Sequence, residues 1–173
     1  MARHTGEVRT DTYLFFFTFH SFFSNWHKKP FVVKGILFVC VEQYMMFAKA
    51  KLFGDEEIAG YILQTQDPAE HKRLGRLVKG FDKAVWEERC ERYVYVASLL
   101  QARQHKEVRD HYLSTGDLIL VEASPYDKIW GVGLAADDPR ILDPTKWRGQ
   151  NRCGRVKMRV RQKLREELEK EDA

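Results

Sequence analysis

The chain has 173 residues, enough for one domain whose core needs neither disulfides nor metal. Its composition, 44% apolar and 31% charged, is that of a globular protein, and a net charge of +4 is too modest to mark a nucleic-acid binder, though it favours phosphate-bearing ligands. Cys40, Cys90 and Cys153 are odd in number and far apart, which argues for free thiols in a reducing compartment and against a disulfide framework. No CxxC is present, and His105 and His111 lack the i, i+4 spacing of a helical metal pair, so neither metal nor cofactor is expected.

In chain order, residues 1–12 read as a polar, flexible start. "YLFFFTF" reads as a strand. The apolar run 14–23 is too short to span a bilayer, contains His20 and lacks a small-residue cleavage site, so the expected location is cytoplasmic or nuclear, with no membrane attachment. "FVVKGILFVC" predicts two short strands around a turn at Lys34-Gly35. A helix follows over 41–53, then one capped by Asp55, and a third opened by Asp67-Pro68. From Asp82, Val85, Trp86, Arg89, Cys90, Tyr93, Ala97 and Leu100 recur at helical spacing. Another helix covers 104–114, "LILVEAS" is a strand, 124–151 is loop-like, and a last helix starts near Arg152. The sum is α+β: a predominantly helical single domain over 13–165 with a small β-sheet, then a charged end at 166–173. So long a loop inside a compact domain points to function.

The helix over 41–53 carries a puzzle. Among Val41, Met45, Met46, Ala48 and Leu52 it keeps Glu42 and Lys49, and at ~100° per residue the two fall within ~20° of one stripe. Lys51 falls on the opposite face. Two charges at a solvated helix edge would be the ordinary explanation.

"SNW" at 24–26, "VEQYMMFAKA" at 41–50, "LGRLV" at 74–78, "TGDLILVEAS" at 115–124, "DKIWGVGL" at 127–134 and "WRGQNRCG" at 147–154 together resemble the NADAR family, with its YbiA-like fold. The family's usual first helix reads closer to E-H-Y-F-Q-A-Q-K. Glu42, Tyr44 and Lys49 match it, whereas Gln43, Met46 and Ala48 depart from it. The resemblance implies an N-glycosidase. One branch of the family hydrolyses phosphorylated ribosylamino-pyrimidine intermediates of riboflavin synthesis. Another removes ADP-ribose from guanine bases of nucleic acid.

Both substrates hang the sugar on an exocyclic amine, so the ring can open to an imine that a lysine attacks. On this reading Lys49 is the nucleophile, its proton loosened by burial, and Glu42 moves protons. Asp127 is a third catalytic candidate, or an organiser of its turn. Gly131, Gly133 and Gly149 would let backbone approach a ligand, or merely shape turns. Trp130 and Trp147 offer stacking faces; Trp86 does too, although its spacing fits a core residue. Arg76 is a phosphate candidate, as are the amides at Asn151 leading into the last helix. Ser24, Asn25 and Tyr44 complete the expected substrate contacts. The expected reaction is removal of ADP-ribose from ADP-ribosylated guanine carried on nucleic acid, by a monomer. The alternatives are the riboflavin-pathway reaction and a non-catalytic ADP-ribose-binding module, which would have no need of a reactive amine.

Overall fold

The structure is a computed structural model describing residues 6–171. The strands are β1 (Glu7–Arg9), β2 (Tyr13–Phe16), β3 (Phe31–Val33), β4 (Ile36–Phe38) and β5 (Ile119–Glu122). The helices are α1 (Val41–Leu52), α2 (Glu56–Gln64), α3 (Pro68–Arg76), α4 (Lys83–Gln104), α5 (Lys106–Ser114) and α6 (Arg152–Glu171). The α+β class expected from the sequence is what forms. Two compact units make it up: Met1–His27 with His105–Ala173, and Lys28–Gln104. Among the described residues no helix is long and apolar enough to cross a membrane.

The Lys28–Gln104 unit is built on α1, which packs against α2, α3 and α4. Its buried residues include Val41, Glu42, Gln43, Met45, Met46, Ala48 and Ala50, so it is covered on several sides. The β3–β4 hairpin turns through Lys34 and Gly35, both at positive φ (48° and 81°), the backbone that two-residue hairpins require. Phe31 pairs with Phe38, and both are buried, while Val32 and Leu37 face out. Gln104 substitutes for a further strand: its amide accepts from Val32 N at 2.8 Å and donates to Val32 O at 2.9 Å. Asp55 and Asp67 cap α2 and α3 as expected, accepting from Ile58 N and Ala69 N.

The other unit carries a three-stranded sheet in the order β1-β2-β5. β2 is antiparallel to β1 and parallel to β5, with Phe15 level with Val121. Leu14, Phe15 and Phe16 are all buried, as expected of a central strand covered on both faces. α6 packs on β5.

Three expectations need correction. Within the polar start expected to be flexible, Glu7–Arg9 is a strand paired to β2, and residues 1–5 lie outside the described residues. The aromatic strand ends at Phe16, because Thr18 takes φ 77°, a conformation no strand residue adopts. And 124–151, expected to be loop-like throughout, is partly ordered into the core. It contains two short 3-10 turns, and Val132, Leu134 and Ile141 enter a core cluster with Phe15, Val121 and Ala123.

Candidate functional site

Lys49 stands in the last turn of α1 with its side chain half-buried. Its Nζ donates to Gly75 O at 2.7 Å. The same nitrogen lies 4.3 Å from the centroid of the Phe81 ring and 5.4 Å from that of Trp86. A Cβ on Gly75 would sit 2.0 Å from Met46 Sδ, so with glycine there α3 lies against the Met46 side chain of α1 without displacing it. Met46 stands where the family's pattern has glutamine, and here it serves this packing.

Burial pushes the Lys49 pKa down; the Glu42 charge pulls it back up, and Arg76 pushes it down again. Glu42 itself is buried, at 5% exposure. The two groups of the α1 stripe therefore interact, inside the unit and not at a solvated edge. Arg76 is exposed and makes no ion pair or side-chain hydrogen bond among the described residues, which leaves its guanidinium available to an anion. Lys51, by contrast, is exposed and bonded to Glu56 at 2.5 and 2.7 Å.

Trp86 is not a core residue. It is half-exposed and stacks on Tyr93, with centroids 5.9 Å apart and planes 18° from parallel. Tyr44 is half-buried and meets Phe38 edge-on at 5.1 Å. Burial pushes its phenol pKa up, helped by Tyr93 and opposed by Arg92. Phe81 was not foreseen. It follows Gly80 in the connector before α4, and nothing periodic marks it.

A second nucleophile candidate fails on physical grounds. Cys40 Sγ lies 3.8 Å from His71 Nδ1, but both residues are fully buried. Burial pushes the thiol up to about 12. It also pushes the imidazole pKa down, and Nε2 is engaged by Thr65 O at 2.9 Å. A protonated, inaccessible thiol is inert.

The remaining sequence candidates lie in the other unit. Asp127 Oδ1 accepts from Ile129 N and Trp130 N, both at 2.8 Å, the bonding of a turn organiser. Asn151 is committed to β5: Oδ1 accepts from Glu122 N and Nδ2 donates to Leu120 O, each at 3.0 Å. Trp147 donates to Ile141 O at 2.8 Å, and its ring packs against the core cluster, with Tyr13 edge-on at 6.4 Å. Gly131 and Gly149 meet the chain itself, since a Cβ on Gly149 would fall 2.3 Å from Gly131 O. Gly133 is buried at φ 70°. Ser24 Oγ accepts from Trp26 N, and Asn25 Oδ1 faces Cys153 Sγ at 3.9 Å. Trp130 is half-exposed. No group of three or more His, Cys, Asp or Glu side chains gathers as a metal site among the described residues.

A second lysine, which no sequence motif marks, is removed from water. Lys157 on α6 is 1% exposed. Burial pushes its pKa down, against the pull of Cys153 and Glu122.

Known proteins resemble this chain over nearly its whole length. It is 35% identical over 166 residues to an N-glycosidase of Acanthamoeba polyphaga mimivirus, covering 90% of this chain and 98% of that one. It is 34% identical over 177 residues to the Caenorhabditis elegans protein irg-1, covering 93% and 84%. A riboflavin biosynthesis protein of Vibrio vulnificus is 28% identical over 150 residues, 85% of this chain but 36% of that protein. The NMR structure of the Escherichia coli protein YbiA matches with a TM-score of 0.75 at 28% identity, covering 96% of this chain and 93% of that one. The NADAR domain model matches residues 14–165, and so the chain belongs to the NADAR family.

Proposed function

We propose that the protein is an N-glycosidase that cleaves the bond between ribose C1 and an exocyclic amine, removing ADP-ribose from guanine in nucleic acid. Family membership and the similarity to a viral N-glycosidase support the reaction class. The observation that carries the mechanism is the setting of Lys49. A half-buried amine with a lowered pKa is fixed on a backbone carbonyl beneath two aromatic rings, with buried Glu42 electrostatically coupled to it.

The steps balance without a cofactor. With the proton shed by neutral Lys49 held on Glu42, the sugar ring opens as its oxygen takes that proton. The C1–O bond gives way to a C1=N bond, and the exocyclic N–H returns a proton to Glu42, leaving a neutral imine. Neutral Lys49 adds to C1. A proton passes to the base nitrogen, the C1–N bond breaks, and guanine leaves as the free amine. Water then adds to the lysine–sugar imine, releasing the open sugar and the amine. The bond to Gly75 O uses one N–H of a neutral amine and leaves its lone pair free to attack. Phe81, Trp86 and Tyr93 offer aromatic faces suited to a purine. Arg76 suits the pyrophosphate.

The similarity to a riboflavin biosynthesis protein favours a second reading: the same chemistry on a phosphorylated ribosylamino-pyrimidine. Incubating the protein with each substrate and weighing the products decides between them. Release of unmodified guanine is the expected result; turnover of the pyrimidine alone would establish the second reading.

A further inference from the structure

From its surface chemistry we infer that the loop after β5 carries a docking surface for single-stranded nucleic acid, formed by Tyr126, Lys128, Ile129 and Arg148. For the substrate this rests on the reading above; the surface itself is argued from its own geometry.

The loop is rigid. Ser124 Oγ accepts from Asp127 N at 3.1 Å, and Asp127 Oδ1 accepts from Ile129 N and Trp130 N. Arg152 N and Cys153 N, at the start of α6, donate to Ile129 O and Trp130 O, and Gln150 N donates to Lys128 O at 3.0 Å. A loop so tied would be expected to tuck its large side chains away. Instead Tyr126 is 88% exposed and Ile129 is 49% exposed. Lys128 and Arg148 are also exposed.

The two cations are neighbours. A Cβ on Gly133 would lie 3.3 Å from Lys128 Cγ and 2.9 Å from Arg148 Cβ. Neither cation takes part in an ion pair or side-chain hydrogen bond among the described residues. Arg148 borders an open hollow of about 580 Å³, also lined by Asp137, Asp138 and Arg140. Asp138 is neutralised by Arg140, at 2.9 and 2.6 Å. The Arg140 side chain holds its carboxyl down at about 2, so Asp138 already has a counter-ion, and Asp137 is the remaining acid lining the hollow.

An exposed aromatic ring on the same tied loop as two uncommitted cations is how proteins hold unpaired bases and the phosphates between them. A base stacks on Tyr126 against Ile129, and the flanking phosphates meet Lys128 and Arg148. A duplex offers no free base face, so the surface selects single strands.

The test uses a labelled 12-nucleotide single-stranded DNA without modification, titrated by fluorescence anisotropy at several salt concentrations. Tyr126→Ala should weaken binding roughly 5- to 100-fold. The Lys128→Ala/Arg148→Ala variant should flatten the salt slope by about 1.4, the change expected for two lost phosphate contacts on a single strand. Tyr61→Ala, at an exposed aromatic on α2, should change neither quantity. Turnover is then compared between ADP-ribosylated guanine in the oligonucleotide and the same group on a mononucleotide. The surface variants should lose rate on the first and keep it on the second. Unaltered DNA binding in the variants would overturn the surface, as would equal losses on both substrates or no DNA binding at all, which would leave these side chains to a protein partner. Surface-dependent DNA binding without turnover of either substrate would instead sink the proposed reaction and leave the surface standing.

Discussion

Two lysines in this protein have been taken out of water, and they teach different things. Lys157, on α6, is buried, and the Cys153 and Glu122 charges oppose the lowering of its pKa by burial. Lys49 is half-buried, bonded to one backbone carbonyl and roofed by Phe81 and Trp86, two rings that themselves reach solvent. Both have lowered pKa values with burial as the largest cause. What separates them is exposure: Lys49 is half-buried beneath rings that reach solvent, whereas Lys157 is 1% exposed, so of the two only Lys49 is placed for the proposed role.

The largest test of that contrast is a pair of substitutions. Lys49→Arg keeps a positive charge that cannot be shed, so it should bind ligand and abolish turnover. Lys157→Met fills the same space without an amine and should retain turnover of the folded protein. Equal losses in single-turnover assays would erase the distinction. Glu42→Gln comes next: shape survives but proton transfer does not, and the rate should fall roughly 10²–10⁴-fold. A variant within a few-fold of wild type would remove Glu42 from the mechanism.

Gly75→Ala should act through packing. The added methyl meets Met46 Sδ, and overpacking of this kind costs about 1–3 kcal/mol. Urea unfolding checks the stability. The contact between Gly75 O and Lys49 should be disturbed as well, so activity should drop in protein that is still folded.

The smallest effects are in pH. Arg76 helps to hold the Lys49 pKa down, so Arg76→Ala should move the acidic limb of the kcat/KM profile to higher pH. A limb left in place would deny Arg76 that influence. For Lys157 the sign follows from linkage. Between its lowered folded pKa and the ordinary value of 10.5 the unfolded chain binds the proton that the folded chain has released. Stability therefore rises with pH across that window. The stability difference between wild type and Lys157→Met should shift in favour of wild type from pH 7 toward 10. A flat difference would mean that Lys157 keeps an ordinary pKa.

Local chemistry made much of the fold legible. Asp55, Asp67-Pro68 and Lys34-Gly35 mark their caps and turn through bonds to residues two or three away. β1 was not legible, because three polar residues become a strand only by pairing with β2. The Glu42–Lys49 stripe could be read from helical spacing. Its carbonyl partner at Gly75 could not, since that contact exists only once α3 lies on α1. Asn151 and Trp147 show the opposite failure. Both look like ligand contacts in a Gly-rich loop, yet one closes the hydrogen bonding of β5 and the other covers the core. Trp86 sits at core-like spacing on α4, but its turn of the helix is open and the ring faces Lys49.

Borohydride added during turnover is the most direct measurement of the central claim. If Lys49 forms an imine with C1 of the opened ribose, reduction fixes it as a secondary amine. Peptide mass mapping should then place the adduct on Lys49 and on neither Lys51 nor Lys157. An adduct on another lysine would contradict the assignment. Absence of any adduct, with substantial turnover remaining in Lys49→Arg, would contradict the imine itself and point to direct water attack through an oxocarbenium-like state, which needs mainly a carboxylate.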